Sequence, residues 1–186
     1  MNEGSNALRG AAVGVIAGVA GSAAMVAFNH LLGASGFGDD DRGAHHEHRR
    51  SEAKPNDTDG TISDEPASIK VARAAGQRLK GSELTERETG ALGSLVHHAF
   101  GAFAGAIYGA AAAKVPGLAA GAGLPYGLAV WLVADEAALP ILGLSKKPSD
   151  YPPARHAAAL ATHLVFGLTV EAVRRAMTPS AAVART

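Results

Sequence analysis

The chain has no cysteine, which excludes a disulfide framework, a thiol nucleophile and a cysteine-held metal. Aromatic residues make up only 5% although 47% of the residues are hydrophobic, so alanine, beside 23 glycines, sets the character of the apolar segments. The formal net charge is zero, which gives no electrostatic case for nucleic acid. Catalytic templates are missing too: there is no HExxH, no glycine-rich loop ending in GKS or GKT, and no G-x-S-x-G elbow. We therefore expect a protein that is not an enzyme and uses neither cofactor nor metal.

What matters most is where charge is absent. No charged residue occurs from Gly10 to Gly38, from Thr89 to Ala113, from Val115 to Ala134, or from His156 to Val170, histidines aside. A bilayer core about 30 Å thick takes about 20 largely apolar helical residues to cross. Segments of about that length run from Gly10 to Leu32, Ala91 to Ala113, Val115 to Leu144, where Pro125 and Pro140 interrupt the pattern, and Arg155 to Val173. A soluble alanine-rich bundle would carry charges on its exposed faces, and these segments carry almost none. The expected fold is an all-α integral membrane protein, a bundle of four transmembrane helices with a long polar loop between helices 1 and 2. A cleaved leader fits the first segment less well, because only Arg9 is basic before it and its apolar run is long.

The organisation then reads as a first transmembrane helix over 1–33 and a polar, disordered loop over 34–65. An amphipathic surface helix and connector follow over 66–88, a three-helix transmembrane region over 89–176, and a disordered tail over 177–186. Pro66 suits a helix start, and Ile69, Val71, Ala72, Ala75 and Leu79 offer a weak apolar face. Thr85 and Glu88 stand in capping-box register for the second span. The link around Lys114 and Pro116 reads as a tight hairpin, and the prolines near Tyr151 force the chain out of the hydrocarbon before the fourth span.

Glycines recur every fourth residue at Gly10, Gly14 and Gly18 and again at Gly101, Gly105 and Gly109; Gly117 with Gly121 and Gly123 with Gly127 continue the spacing. Residues four apart share a helix face, and small residues on one face let helices approach closely in lipid. These are candidate packing faces, within the chain or toward a second copy or another membrane protein.

Ionisable residues inside a membrane are functional candidates by default. Those here are His97, His98, His163 and Glu171, with Asp135 and Glu136 where the third span is expected to end. His97 precedes Gly101 on the glycine face, while His98 points about 100° away. His163, Gly167 and Glu171 share a face of the fourth span. Because histidine changes charge between about pH 5 and 8, one reading makes His163 and Glu171, with His97 opposite, a proton or small-solute path. The other reading makes the histidines interhelical hydrogen-bonding groups in a structural or partner-binding protein. The run His45 to His48 could bind a metal through imidazole, but four adjacent residues in a charged loop cannot close a coordination shell.

From about Pro66 to Arg175 the chain resembles the YagU-like family of bacterial inner-membrane proteins, whose activity is not established. The residues that carry the resemblance are "LVHHAFGAFAGAIYG", "GLPYGLAVWLVADEAALPILGL" and "THLVFGLTVEAVRR". It implies a helical inner-membrane protein linked to acid resistance and brings no catalytic motif. A count of basic residues leans toward the polar loops in the cytoplasm, but acids offset the basic residues of the long loop, so the count leaves both orientations open.

Overall fold

The computed structural model describes residues 3–34 and 65–178, and all regular structure among them is helical. The expected polar loop, its histidine run and nearly all of the expected tail lie outside the described residues. Helix α1 covers Glu3–Ala34, α2 Ala67–Lys80 and α3 Glu86–Ala112. A 3₁₀ turn at Pro116–Ala119 leads to α4, Leu124–Ile141, and α5 runs from Pro153 to Met177. Helices α1, α3, α4 and α5 are four helices long and apolar enough to cross a membrane.

The ends of these helices follow local chemistry. Thr85 caps α3 by accepting from the Glu88 N–H, and Glu88 reaches back to the Thr85 N–H at 2.8 Å. Gly81 ends α2 in the left-handed conformation that glycine adopts without a Cβ penalty. The link before α4 is longer than a tight hairpin, and Pro125 falls in the first turn of α4, where a missing N–H costs nothing. Pro140 does not break the helix either. The backbone widens to a π-helix over Leu132–Ala138, with the Leu139 N–H donating to the Ala134 carbonyl. A proline ring crowds the carbonyl of the preceding turn, and the widened stretch ends just before it.

Helices α1 and α3 run antiparallel with backbone against backbone. A Cβ on Gly14 would collide with the Gly105 carbonyl, and one on Gly105 with the Gly14 carbonyl. Gly10 meets Gly109 and Gly18 meets Gly101 in the same way. Helices α4 and α5 repeat the device, with Gly123 on Gly167 and Gly127 on the His163 carbonyl. Gly117 departs from the expected packing face: nothing lies near it, and Gly121 faces only the Pro125 ring of its own turn. Helix α2 rests on the head of α3 through Ile69, which covers Gly93, while Leu79 points outward.

With glycine and alanine inside, the large apolar side chains turn out. Ile16, Phe100, Phe103, Ile107 and Val133 are all exposed, whereas the buried core is Ala17, Met25, Ala104, Tyr108, Phe166 and Val170. That inversion suits a solvent of acyl chains.

Replacing Gly105 by valine forces α1 and α3 apart at the middle of the glycine contact. We expect a loss of about 2 kcal/mol from overpacking, read as a lower unfolding midpoint by circular dichroism in detergent. Gly90→Ala, where nothing lies within 4 Å, leaves the midpoint unchanged or slightly raised.

Candidate functional site

The ionisable residues of the spans fall into two groups at opposite ends of the bundle. One surrounds Glu171 near the end of α5. Its side chain is 1% exposed and saturated with donors. Tyr108 of α3 donates to Oε2 at 2.9 Å, Arg174 donates from Nε and Nη2 at 2.7 and 2.8 Å, and Arg175 donates to Oε1. Arg175 also reaches the Ala119 carbonyl at 2.8 Å, which fastens the link before α4. Every strong acceptor direction of this carboxylate is occupied, so the group stitches α3, α5 and the link together.

The second group lines a cavity of about 810 Å³ between α1, α3, α4 and α5, at the end where α2 lies. Its walls include Ser22, Met25, His97, Phe100, Val130, Asp135, His163 and Phe166. His163 is buried, and its Nδ1 is 2.9 Å from the Ala159 carbonyl. A carbonyl only accepts, so Nδ1 carries the hydrogen and Nε2 is left to take a proton. Asp135 of α4 lies 3.7 Å from the same Nδ1, and His97 of α3 points Nε2 at the Ser22 carbonyl of α1 at 3.4 Å. These are loose contacts beside those of Glu171.

Asp135 and Glu136 lie in the π-helical stretch, inside a helix that continues to Ile141. Glu136 pairs with His156 at 2.7 Å, and the other nitrogen of that ring donates to the Pro148 carbonyl at 2.9 Å. Two acceptors on one ring are satisfied together only by its doubly protonated form. His98 turns away from the cavity and donates to the Ser94 carbonyl of its own helix at 2.9 Å.

The cavity is closed at its inner end. Tyr108 and Tyr126 stack with ring centroids 4.4 Å apart, Phe166 sits 6.1 Å from Tyr126, and the Tyr126 hydroxyl donates to the Ala104 carbonyl at 2.7 Å. Beyond this barrier lies Glu171. The rings of Tyr108, Tyr126 and Phe166 thus pack between His163 and Glu171, the two ends of the expected path.

His156, Tyr108 and Tyr126 escaped the sequence reading. His156 stands at the very start of the expected fourth span, directly after a proline-rich link, and no spacing tied it to Glu136. The tyrosines carried a usable signal, because a phenol within an apolar span needs a hydrogen-bond partner. Among the described residues no group of histidines and carboxylates forms a metal-holding cluster.

A family model described as "Protein of unknown function (DUF1440)" matches residues 74–172, more than half of the chain. The chain belongs to this family. The matched stretch runs from within α2 to the end of the apolar part of α5, so it carries His97, Asp135, Glu136, His156 and His163 of the cavity wall, while Glu65, Lys70 and α1 lie outside it. No curated protein and no solved structure matches the chain.

Removing the Glu171 carboxylate leaves two guanidinium groups and a phenol without their acceptor. Glu171→Ala is expected to cost about 3 kcal/mol and Tyr108→Phe about 1 kcal/mol, both as lowered unfolding midpoints in detergent. Equal, negligible effects would show that the cluster does not hold the bundle.

Proposed function

We propose that this chain is a multi-pass protein of the bacterial inner membrane whose one-ended cavity changes state with pH, and that it is not an enzyme. The observation that carries the reading is the meeting of His97, His163 and Asp135, from three different helices, in one cavity wall. Glu136 and Arg155 lie within electrostatic reach of Asp135, and His98 with His163 within reach of His97. On the α1 side the wall offers only Ser22 and Asn29. Protonating His163 turns its contact with Asp135 into an ion pair, while protonating His97 as well places two like charges in one wall. Acid therefore redraws the contacts between α3, α4 and α5.

The YagU-like resemblance and its link to acid resistance agree with such a role. With the polar loops in the cytoplasm, the mouth of the cavity would face the cytoplasm too. A constitutive proton path agrees less well, because the tyrosine barrier stands between the cavity and the far end. In the structural or partner-binding reading the glycine faces would serve as an interface. Gly10, Gly14, Gly18, Gly101, Gly105, Gly109, Gly123 and Gly127 all meet other helices of the same chain, so a second copy or another partner would take a different face.

Trp131 is the one tryptophan of the chain and reports on α4. Its ring lies 6.4 Å from His156, which would quench it directly on protonation, so the measurement belongs in a His156→Gln background. In proteoliposomes we expect Trp131 emission to change between about pH 8 and 5 and the change to vanish on adding His163→Gln. Emission that is flat in the His156→Gln protein, or a change that survives His163→Gln, overturns the reading. Proton flux no greater than that of empty vesicles is the expected companion result.

A further inference from the structure

We propose that the cavity binds a lipid of the surrounding bilayer whose head is uncharged and carries a hydroxyl, as that of a diacylglycerol does. The hydroxyl donates to His163 and an acyl chain fills the apolar end. The inference rests on the membrane reading and on the cavity, and not on a response to pH.

The first observation is an unused acceptor. His163 is nine-tenths buried and lines the cavity. Its Nδ1 donates to the Ala159 carbonyl at 2.9 Å, so in the neutral ring Nε2 is a bare acceptor. Among the described residues nothing donates to that nitrogen. The unpaired atoms sealed off by their surroundings are Trp131 Nε1 and Ser145 Oγ, so the unpaired edge of His163 opens on the cavity. A buried acceptor is costly to leave unmade, and a ligand that brings a donor removes that cost.

A side opening tells where the ligand comes from. Helix α3 packs mainly on α1 and α4 mainly on α5, and along the cavity α3 and α4 hardly touch. Phe100 on α3 and Val133 on α4 line the cavity, yet they are 51% and 67% exposed. Residues that are at once wall and outer surface mark a gap between the two helices. The Tyr126–Ala104 hydrogen bond closes that gap at the inner end. Both helices are long and apolar enough to span a bilayer, so what meets the gap sideways is the acyl region of lipid.

The charges of the lining argue for an uncharged head. Lys70, Lys146 and Arg155 are balanced by Glu65, Asp135 and Glu136. Glu136 pairs with His156 at 2.7 Å, Glu65 with Arg73 at 2.6 Å, and Asp135 faces His163. Lys70 donates to the Leu144 carbonyl at 2.9 Å, the Arg155 guanidinium lies over the Tyr151 ring, and Lys146 is engaged as well. An ionic head would have to break one of these contacts, whereas a hydroxyl breaks none. Met25, Val130 and Phe166 at the inner end offer only apolar surface to the chain that follows. The volume, about 810 Å³, falls in the range of small-molecule sites.

Photolabelling tests this on the full chain in phosphatidylcholine vesicles at pH 8, with a hexadecanol that carries a diazirine in its chain. Labelling should saturate and map to Val130, Val133 and Phe166 rather than to Ile16 and Val19 on the outer face of α1. Plain hexadecanol should compete at a mole fraction on the order of tenfold lower than its methyl ether, which has the same chain but no donor. His163→Leu should bring alcohol and ether together while the circular dichroism of the bundle is unchanged. Labelling that does not saturate, equal competition by alcohol and ether in the wild type, or a preference that survives His163→Leu overturns the proposal. Stronger competition by hexadecyl sulfate also overturns it, because the site would then take an anion. The wild-type competition is read at one pH and the Trp131 response without added alcohol, so failure of lipid binding and failure of the pH reading are told apart.

Discussion

The contact between the backbones of α1 and α3 sets the terms for the rest of the bundle. At Gly10–Gly109 and Gly14–Gly105 each carbonyl oxygen points along the direction where the opposite glycine carries a hydrogen instead of a Cβ. That is the geometry of Cα–H···O contacts, worth roughly 0.5–1 kcal/mol each, and it exists only if neither residue has a side chain. Water is not available to drive helices together in lipid, so close approach has to supply the attraction. The consequence is spatial as well as energetic. Helices this close leave no room between them for large side chains, which go to the outer surface or to the wider spaces beyond the glycine faces.

The cavity is one of those wider spaces. Where the ladder ends, at Gly18 and Gly101, Ser22 follows on α1 and donates to the Gly18 carbonyl at 2.7 Å. From that point the walls separate, and His97, Asp135 and His163 line the widening. The two polar groups of the molecule thus differ for a structural reason. Glu171 lies on the closed side, where its neighbours satisfy its carboxylate completely. His163 and Asp135 lie on the open side, where a contact of 3.7 Å leaves room for a proton to change the arrangement.

Much of this was legible in the sequence. The spans could be read because long stretches lacked charge, and the start of α3 because Thr85 and Glu88 have the right spacing. Other parts could not be read, each for its own reason. Four-residue spacing names a face but not its neighbour, so Gly117 looked equivalent to Gly123 although only Gly123 meets another helix. Likewise His163 and Glu171 share a face of α5, and no periodicity reveals that rings from α3 and α4 divide the space between them. Pro140 read as an interruption of the third segment because the pattern gives no sign that a π-helical stretch can absorb it. The charge pairing of His156 with Glu136 depends on how the link after α4 folds back, which is a tertiary outcome.

The family match raises a point about what the shared unit needs in order to pack. It covers residues 74–172 and so includes Gly101, Gly105 and Gly109 but none of their partners on α1. Helix α1 is also the most apolar of the four, with a mean hydropathy of 2.0 against 1.2–1.3 for the others. Division of labour follows from these two facts. Helices α3 to α5 carry the ionisable residues and pay for them in hydropathy, each being a weaker span alone. Helix α1 carries almost none, and it presents the glycine face on which α3 closes. A bundle with polar groups in its interior gains from one strongly apolar element, and here that element lies outside the residues the family model matches.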